Sequence, residues 1–376
     1  VAEVISMGAH LADRLGNISS SGIRRIFELG AKLEDPIDLS IGQAHFDVPE
    51  PVKQAAIEAI QKGFNRYTVT QGIAPLNEGV RERIERMHEF SPESTLITSG
   101  VSGGLLLGFL SLVNPGDEVL IPDPFFTMYK VLVSLCGGKP VYYDTYPEFR
   151  LDVENLRGMI TDRTKVVMVN SPANPTGAVY TREELMALAD VARAHDLVVI
   201  SDEIYDAFVY ERPHASIASF YAKTLLISGF TKAYGMPGWR VGYAAGPTEL
   251  LDKMKTLQQF TYVCAPSMAQ HACLTALETD VESYREDYRK KRDLMVDGLE
   301  GAYELTPPDG SFYCFPKVPD GYDSDMAFVE RALGENLLIV PGGALSCRNT
   351  HFRISFAAET DRLERGIEVL NRLARN

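Results

Sequence analysis

From about residue 50, short apolar runs alternate with stretches of helical periodicity, and Gly, Pro or Asp stands at the joints. Strands long enough to be apolar throughout and joined by helices belong to a parallel sheet covered on both faces. The expected strands are "LIT" at 96, "EVLIP" at 118, "PVYY" at 140, "KVVMVN" at 165, "LVVISDE" at 197, "TLLIS" at 224 and "RVGYAAG" at 240. The expected helices between them include Glu50 to Gln61, Ser102 to Val113 and Glu183 to Ala194. Thr181 and Glu184 have the spacing of a capping box at the start of the last one.

Beyond about residue 266 the pattern changes to two long helical stretches, short strands near Ser311 to Phe315, Leu337 to Val340 and Phe352 to Phe356, and a final helix. A chain of 376 residues is long for one hydrophobic core. The reading is therefore an α/β fold: a large domain over residues 45–280 with a mostly parallel central sheet covered by helices, and a smaller α+β domain formed by residues 1–44 and 281–376.

Thirty-seven Lys plus Arg against 51 Asp plus Glu leave a formal charge of -14, which repels a phosphate backbone, so no nucleic-acid partner is expected. The longest apolar run, Leu105 to Val113, is too short to cross a bilayer, so no membrane partner is expected either. Five cysteines, an odd number with no C-x-x-C pair, suit a reduced, cytoplasmic setting. Neither they nor the histidines show metal-ligand spacing along the chain, and no metal is expected.

Several polar residues sit at the ends of apolar runs, where an open parallel sheet gathers its ligand contacts. These are Asn170 and Asn174 in "NSPANPTG", Asp202 and Tyr205 in "SDEIY", and Lys232 in "SGFTK". A carboxylate at the end of a buried strand is costly without a positive partner, so a cation is expected against Asp202.

"NSPANPTG", "SDEIYDAFVY" and "SGFTKAYGMPGWRVGY", in this order and at these intervals, resemble the class I/II aminotransferases, the fold type I enzymes that use pyridoxal 5'-phosphate. The resemblance extends through "IDLSIGQAHFDVPEPV", "YTVTQGI", "SLVNPGDEVLIPDPFF" and "HFRISFA". It implies that Lys232 is the amine that forms a Schiff base with the cofactor aldehyde and later serves as base on the substrate Cα proton. Asp202 would keep the pyridine nitrogen protonated, and Tyr205 and Asn174 would bond the ring oxygen beside the aldehyde. Arg240 would grip the phosphate, joined by Val101 and Ser102 at a helix start and by Ser228. Phe126 would stack on the ring. Tyr67 would reach the phosphate of a neighbouring subunit, which implies a homodimer with shared active sites. Arg353 would clamp the substrate α-carboxylate, with Gly42 and Asn174 beside it.

Three positions depart from that pattern. Gly229 stands where many members carry a phosphate-binding serine, leaving Ser228 as the nearest hydroxyl. Pro237 replaces a common threonine and removes an N–H donor. Ser102 stands where bacterial aspartate aminotransferases often carry a lysine for the distal carboxylate. Arg14, Arg24, Arg25 and Arg348 are candidates to replace that charge, whereas Phe312 and Tyr313 suit a neutral or aromatic side chain.

The expected activity is amino transfer from an L-amino acid to a 2-oxo acid such as 2-oxoglutarate, with neutral or aromatic donors favoured over aspartate. Another pyridoxal phosphate reaction on the same scaffold, a C–S β-lyase, a decarboxylase or a cyclopropane-forming synthase, would share Lys232, Asp202 and Arg240. A cofactor-sensing regulator would need a DNA-binding module, and the residues before "LSIGQ" are neither basic nor of helix-turn-helix pattern.

Overall fold

The computed structural model describes residues 12–16, 30 and 33–375. After β1 (Ile37–Asp38), all seven expected strands occur: β2 (Ser94–Thr98), β3 (Glu118–Asp123), β4 (Lys139–Asp144), β5 (Thr164–Asn170), β6 (Val198–Asp202), β7 (Thr224–Gly229) and β8 (Gly242–Gly246). They form one sheet in the order β2-β8-β7-β6-β5-β3-β4. Every residue of β3 and β7 is buried, as is every residue of β5 except Lys165, which is why these runs carry no polar alternation.

The contacts β3–β4, β3–β5, β5–β6 and β6–β7 are parallel, while β8 runs antiparallel to both β7 and β2. A parallel neighbour needs a long crossover, usually a helix. Between β7 and β8 the chain forms only the 3₁₀ turn Pro237–Trp239, so it returns alongside the strand it has just left.

The helix expected from Ser102 begins at Gly100 and ends at Leu112. Its glycines bring it close to the sheet: a Cβ on Gly108 would lie 2.7 Å from Leu225 Cδ2. Helix Arg182–Ala194 carries the expected capping box, with Thr181 Oγ1 accepting from the Glu184 N–H and Glu184 Oε2 accepting from the Thr181 N–H.

Toward the C-terminus, helices Ser267–Glu278 and Glu282–Leu299 precede β9 (Tyr313–Cys314), β10 (Leu337–Leu338), β11 (Val340–Pro341) and β12 (Phe352–Ser355). The single strand expected over 337–340 divides at Ile339. β10 pairs in parallel with β1, whereas β11 joins the antiparallel sheet β11-β12-β9. Phe312, Phe328, Phe352, Ile354 and Phe356 pack there with Leu363 and Leu370 of the last helix, Thr360–Leu373.

Candidate active site

The C-terminal ends of β5, β6 and β7 open onto one cavity of about 350 Å³. Asp202 is the last residue of β6 and is only 2% exposed. Its Oδ2 accepts from the Tyr129 hydroxyl at 2.8 Å and its Oδ1 from the Ile204 N–H at 3.2 Å. Its carbonyl accepts from Asn170 Nδ2, at the end of the adjacent β5, at 2.9 Å. Burial pushes the Asp202 carboxyl up to about 6, against the Tyr129 hydroxyl, the Ile204 amide and the charge of Lys232, which favour the ionised form.

Lys232 lies just past β7, and its Nζ donates to the Gly42 carbonyl. The amine is 5.8 Å from the centroids of both the Tyr205 and the Phe312 rings. Burial, then the positive charge of Arg353, lowers its pKa to about 8, while Asp202 opposes the shift. A substantial fraction of the amine is therefore neutral near physiological pH, the form that acts as nucleophile or base.

Val101 and Ser102 open the helix that begins at Gly100, and no side chain caps its first N–H groups. Arg240, in the left-handed region at φ 56°, donates from Nη2 to Ser102 Oγ at 2.7 Å and from Nη1 to the Pro237 carbonyl at 3.1 Å. The loops meet here because glycines allow it. A Cβ on Gly100 would lie 2.5 Å from Arg240 Nη2, and one on Gly242 would lie 2.8 Å from the Val101 nitrogen. An uncapped helix N-terminus beside a guanidinium is a site for an anion.

Arg353, on β12, is 3% exposed. It donates from Nη1 to Asn174 Oδ1 at 3.1 Å and from Nη2 to the Ser40 carbonyl at 2.7 Å, and stacks 4.6 Å from the Tyr313 centroid. Its Nε has no partner, and no carboxylate pairs with it among the described residues. The Tyr205 and Tyr313 hydroxyls share a hydrogen bond of 2.9 Å, and Tyr313 Oη occupies the space that a Cβ on Gly42 would need.

The family model for aminotransferase class I and II matches residues 34–370. The chain belongs to this family. Aspartate aminotransferase of Pyrococcus abyssi is 35% identical over 97% of this chain and 98% of its own. Aromatic-amino-acid aminotransferase 2 of Thermococcus litoralis is also 35% identical, over 96% of this chain and 98% of its own. Among solved structures, aspartate aminotransferase from Thermus thermophilus with maleate superposes with a TM-score of 0.93 at 34% identity, covering 96% of this chain and 99% of that one.

Of the residues selected from the sequence, the aminotransferase brings Gly42, Val101, Ser102, Phe126, Asn174, Asp202, Tyr205, Lys232, Arg240 and Arg353 to the same cavity. Ser228 is a correction. Its hydroxyl turns from the cavity and donates toward the Glu203 carbonyl and Asp206 Oδ2, both at 3.2 Å, in a fully buried position on β7. Serine at 229 is excluded for a packing reason, since a Cβ there would lie 2.8 Å from Gly242 Cα across the β7–β8 pair.

Tyr67 is 84% exposed and does not line the cavity of its own chain. Arg348 is engaged with Asp144 at 2.5 Å, and Arg14 is exposed on the turn Asp13–Leu15; neither lines the cavity, while Arg24 and Arg25 lie outside the described residues. Of the two aromatic residues near Gly310, Tyr313 lines the cavity and Phe312 lies behind it in the core. Tyr129 and Thr231 also line it and were not selected. Tyr129 follows the "PDPFF" motif closely, but sequence alone does not tell which of its tyrosines meets Asp202.

Proposed function

We propose that this aminotransferase holds pyridoxal 5'-phosphate in the cavity and moves amino groups from neutral or aromatic L-amino acids to 2-oxoglutarate. The observation that carries the reading is a lysine amine and a buried carboxylate lining one cavity, with Arg240 and an uncapped helix N-terminus on the same cavity. Asp202 has no Lys or Arg ion pair among the described residues, so its desolvated charge fits a protonated ring nitrogen. The glycine-lined approach of Arg240 to Val101 and Ser102 fits a phosphate.

When bound, the cofactor ring supplies an electron sink for the bond broken at the substrate Cα. Lys232 would hold the cofactor through its amine and would move the proton at the substrate Cα. Asp202 holds the ring-nitrogen proton, and Tyr205 and Asn174 orient the ring oxygen. Phe126 covers the ring. Arg353 offers its guanidinium, including the unpartnered Nε, to the substrate α-carboxylate, with Gly42 beside it.

A homodimer with shared sites completes the proposal. Tyr67 stands with Phe64 and Val69 on an exposed stretch, and Gln258 ties Thr70 to helix Thr248–Thr261, whose Phe260 is 80% exposed. Such an apolar surface suits a second copy. Residues 45–280 would act as the cofactor-holding domain and residues 1–44 with 281–376 as the smaller one, a division supported by the pairing of β1 with β10. A cytoplasmic setting suits the five free cysteines, and no described helix is long and apolar enough to cross a membrane.

The test is a half-reaction screen. The coloured enzyme is mixed with single amino acids, and conversion of the cofactor to its aminated form is followed by absorbance. Stoichiometric conversion with release of the matching 2-oxo acid is expected. Release of carbon dioxide, or of a thiol with pyruvate, in place of conversion would assign the scaffold's other chemistries instead.

A further inference from the structure

Away from the cavity, three residues distant in the chain converge: His88 at the end of helix Ala74–Met87, Glu203 just after β6, and His214 in the loop before the 3₁₀ turn Ile217–Ser219. One ligand-type atom of each lies within 4.8 Å of the other two. The side chains are 4%, 1% and 3% exposed, and none lines the cavity around Lys232. Glu203 Oε1 is occupied by the hydroxyls of Ser201 at 2.7 Å and Ser216 at 2.6 Å, which fixes the carboxylate plane. Oε2 then faces two imidazoles, 2.9 Å from His214 Nε2 and 3.7 Å from His88 Nε2. Among the described residues no lysine or arginine pairs with Glu203, so the buried carboxylate rests on hydrogen bonds from the two serine hydroxyls and the His214 ring in place of a permanent cation.

We infer that His88, Glu203 and His214 form a binding site for a borderline divalent cation of the zinc type. Two imidazole nitrogens and one carboxylate oxygen are a donor set that such an ion takes, leaving a fourth position for water. Bonds of about 2.0–2.1 Å at tetrahedral angles set ligand atoms roughly 3.3 Å apart. The two separations at Oε2, 2.9 and 3.7 Å, bracket that value. Glu203 Oε2 at 2.9 Å holds the ring proton of His214 on Nε2 in the empty site, and a cation would displace it to Nδ1, which has no competing partner, freeing Nε2 as a ligand. A second cavity of about 400 Å³, lined by His88, His214 and Ser216 among others, provides a path for the ion and space for the water. The cation would tie the end of a helix, the chain just past β6 and a loop together next to Asp202 in the chain. Spacing along the sequence did not suggest this site because its members are joined only by the fold.

The experiment uses the tag-free, cofactor-loaded protein, stripped with chelator and titrated with Zn²⁺ and separately with Co²⁺. One bound ion per chain by elemental analysis is expected, with a rise in melting temperature and the intense visible bands of tetrahedral cobalt. His88→Asn and His214→Asn should each weaken binding by at least about tenfold. The wild-type measurements stand without the variants, should a variant fail to fold. Absence of stoichiometric binding, cobalt bands of octahedral form, or undiminished binding in folded His88→Asn and His214→Asn proteins would overturn the assignment.

Discussion

The Tyr129 hydroxyl donates to Asp202 Oδ2 across 2.8 Å, in a place where both residues are almost fully withdrawn from solvent. The bond opposes the burial that raises the Asp202 pKa, so it favours the carboxylate over the acid. Tyr129→Phe removes that support. The expected loss in kcat/KM is about 1.5–3 kcal/mol, the usual worth of a hydrogen bond to a charge, or roughly 10- to 150-fold. The acidic limb of the pH–rate profile should also move upward, because the Asp202 pKa rises further. A profile and rate equal to those of the parent would remove Tyr129 from this role.

Lys232→Ala should abolish turnover while leaving pyridoxal phosphate bound without a covalent link, since Arg240, Ser102 and Asp202 remain in place. Purified variant is assayed for transamination and, by equilibrium dialysis, for cofactor retention. Transamination at a near-parental rate would contradict the assignment.

Loading of the cofactor onto the stripped protein should accelerate with pH. The Lys232 pKa is lowered to about 8, so the neutral amine increases through that value and the rate levels off above it. The same shift has a stability consequence. Between about 8 and the ordinary lysine value the unfolded chain binds more protons than the folded one, so this group's contribution to stability rises with pH there. Stopped-flow loading rates from pH 6.5 to 9.5 check the first point; a flat profile would sink it.

Arg353→Ala should raise KM for every amino acid donor, because the α-carboxylate is common to all of them. The expected cost is on the order of 2–4 kcal/mol, with Asn174 Oδ1 and the Ser40 carbonyl also losing their donor. Steady-state kinetics on three chemically different donors decide it. An effect confined to one donor would point to side-chain recognition instead.

Donor choice follows from the cations in the cavity. Lys232, Arg240 and Arg353 line it, and among the described residues no further lysine or arginine does. Ser102, a neutral residue on the cavity wall, is held by Arg240. Phenylalanine, tyrosine, methionine or alanine should therefore serve at least as well as aspartate. An aspartate kcat/KM about a hundredfold higher than all four, roughly 2.7 kcal/mol, would mean that another cation reaches the site.

The sequence by itself determined the elements and named most of the residues that come to line one cavity. Apolar runs such as "KVVMVN" and "TLLIS" are buried on both sides, and their ends place Asn170, Asp202 and Lys232 at one edge of the sheet. Those signals are local in the chain, so they survive without knowledge of the packing. The tertiary structure decided relations between residues far apart. It reversed β8, because the β7–β8 connection holds no crossover helix, and it divided the run at Ile339 between two sheets. It turned Ser228 toward Asp206, kept 229 a glycine against Gly242, and set Tyr129 on Asp202. It also brought His88, Glu203 and His214 together. Such contacts depend on strand register, side-chain direction and the summed packing of several elements, and no short stretch of sequence encodes these alone.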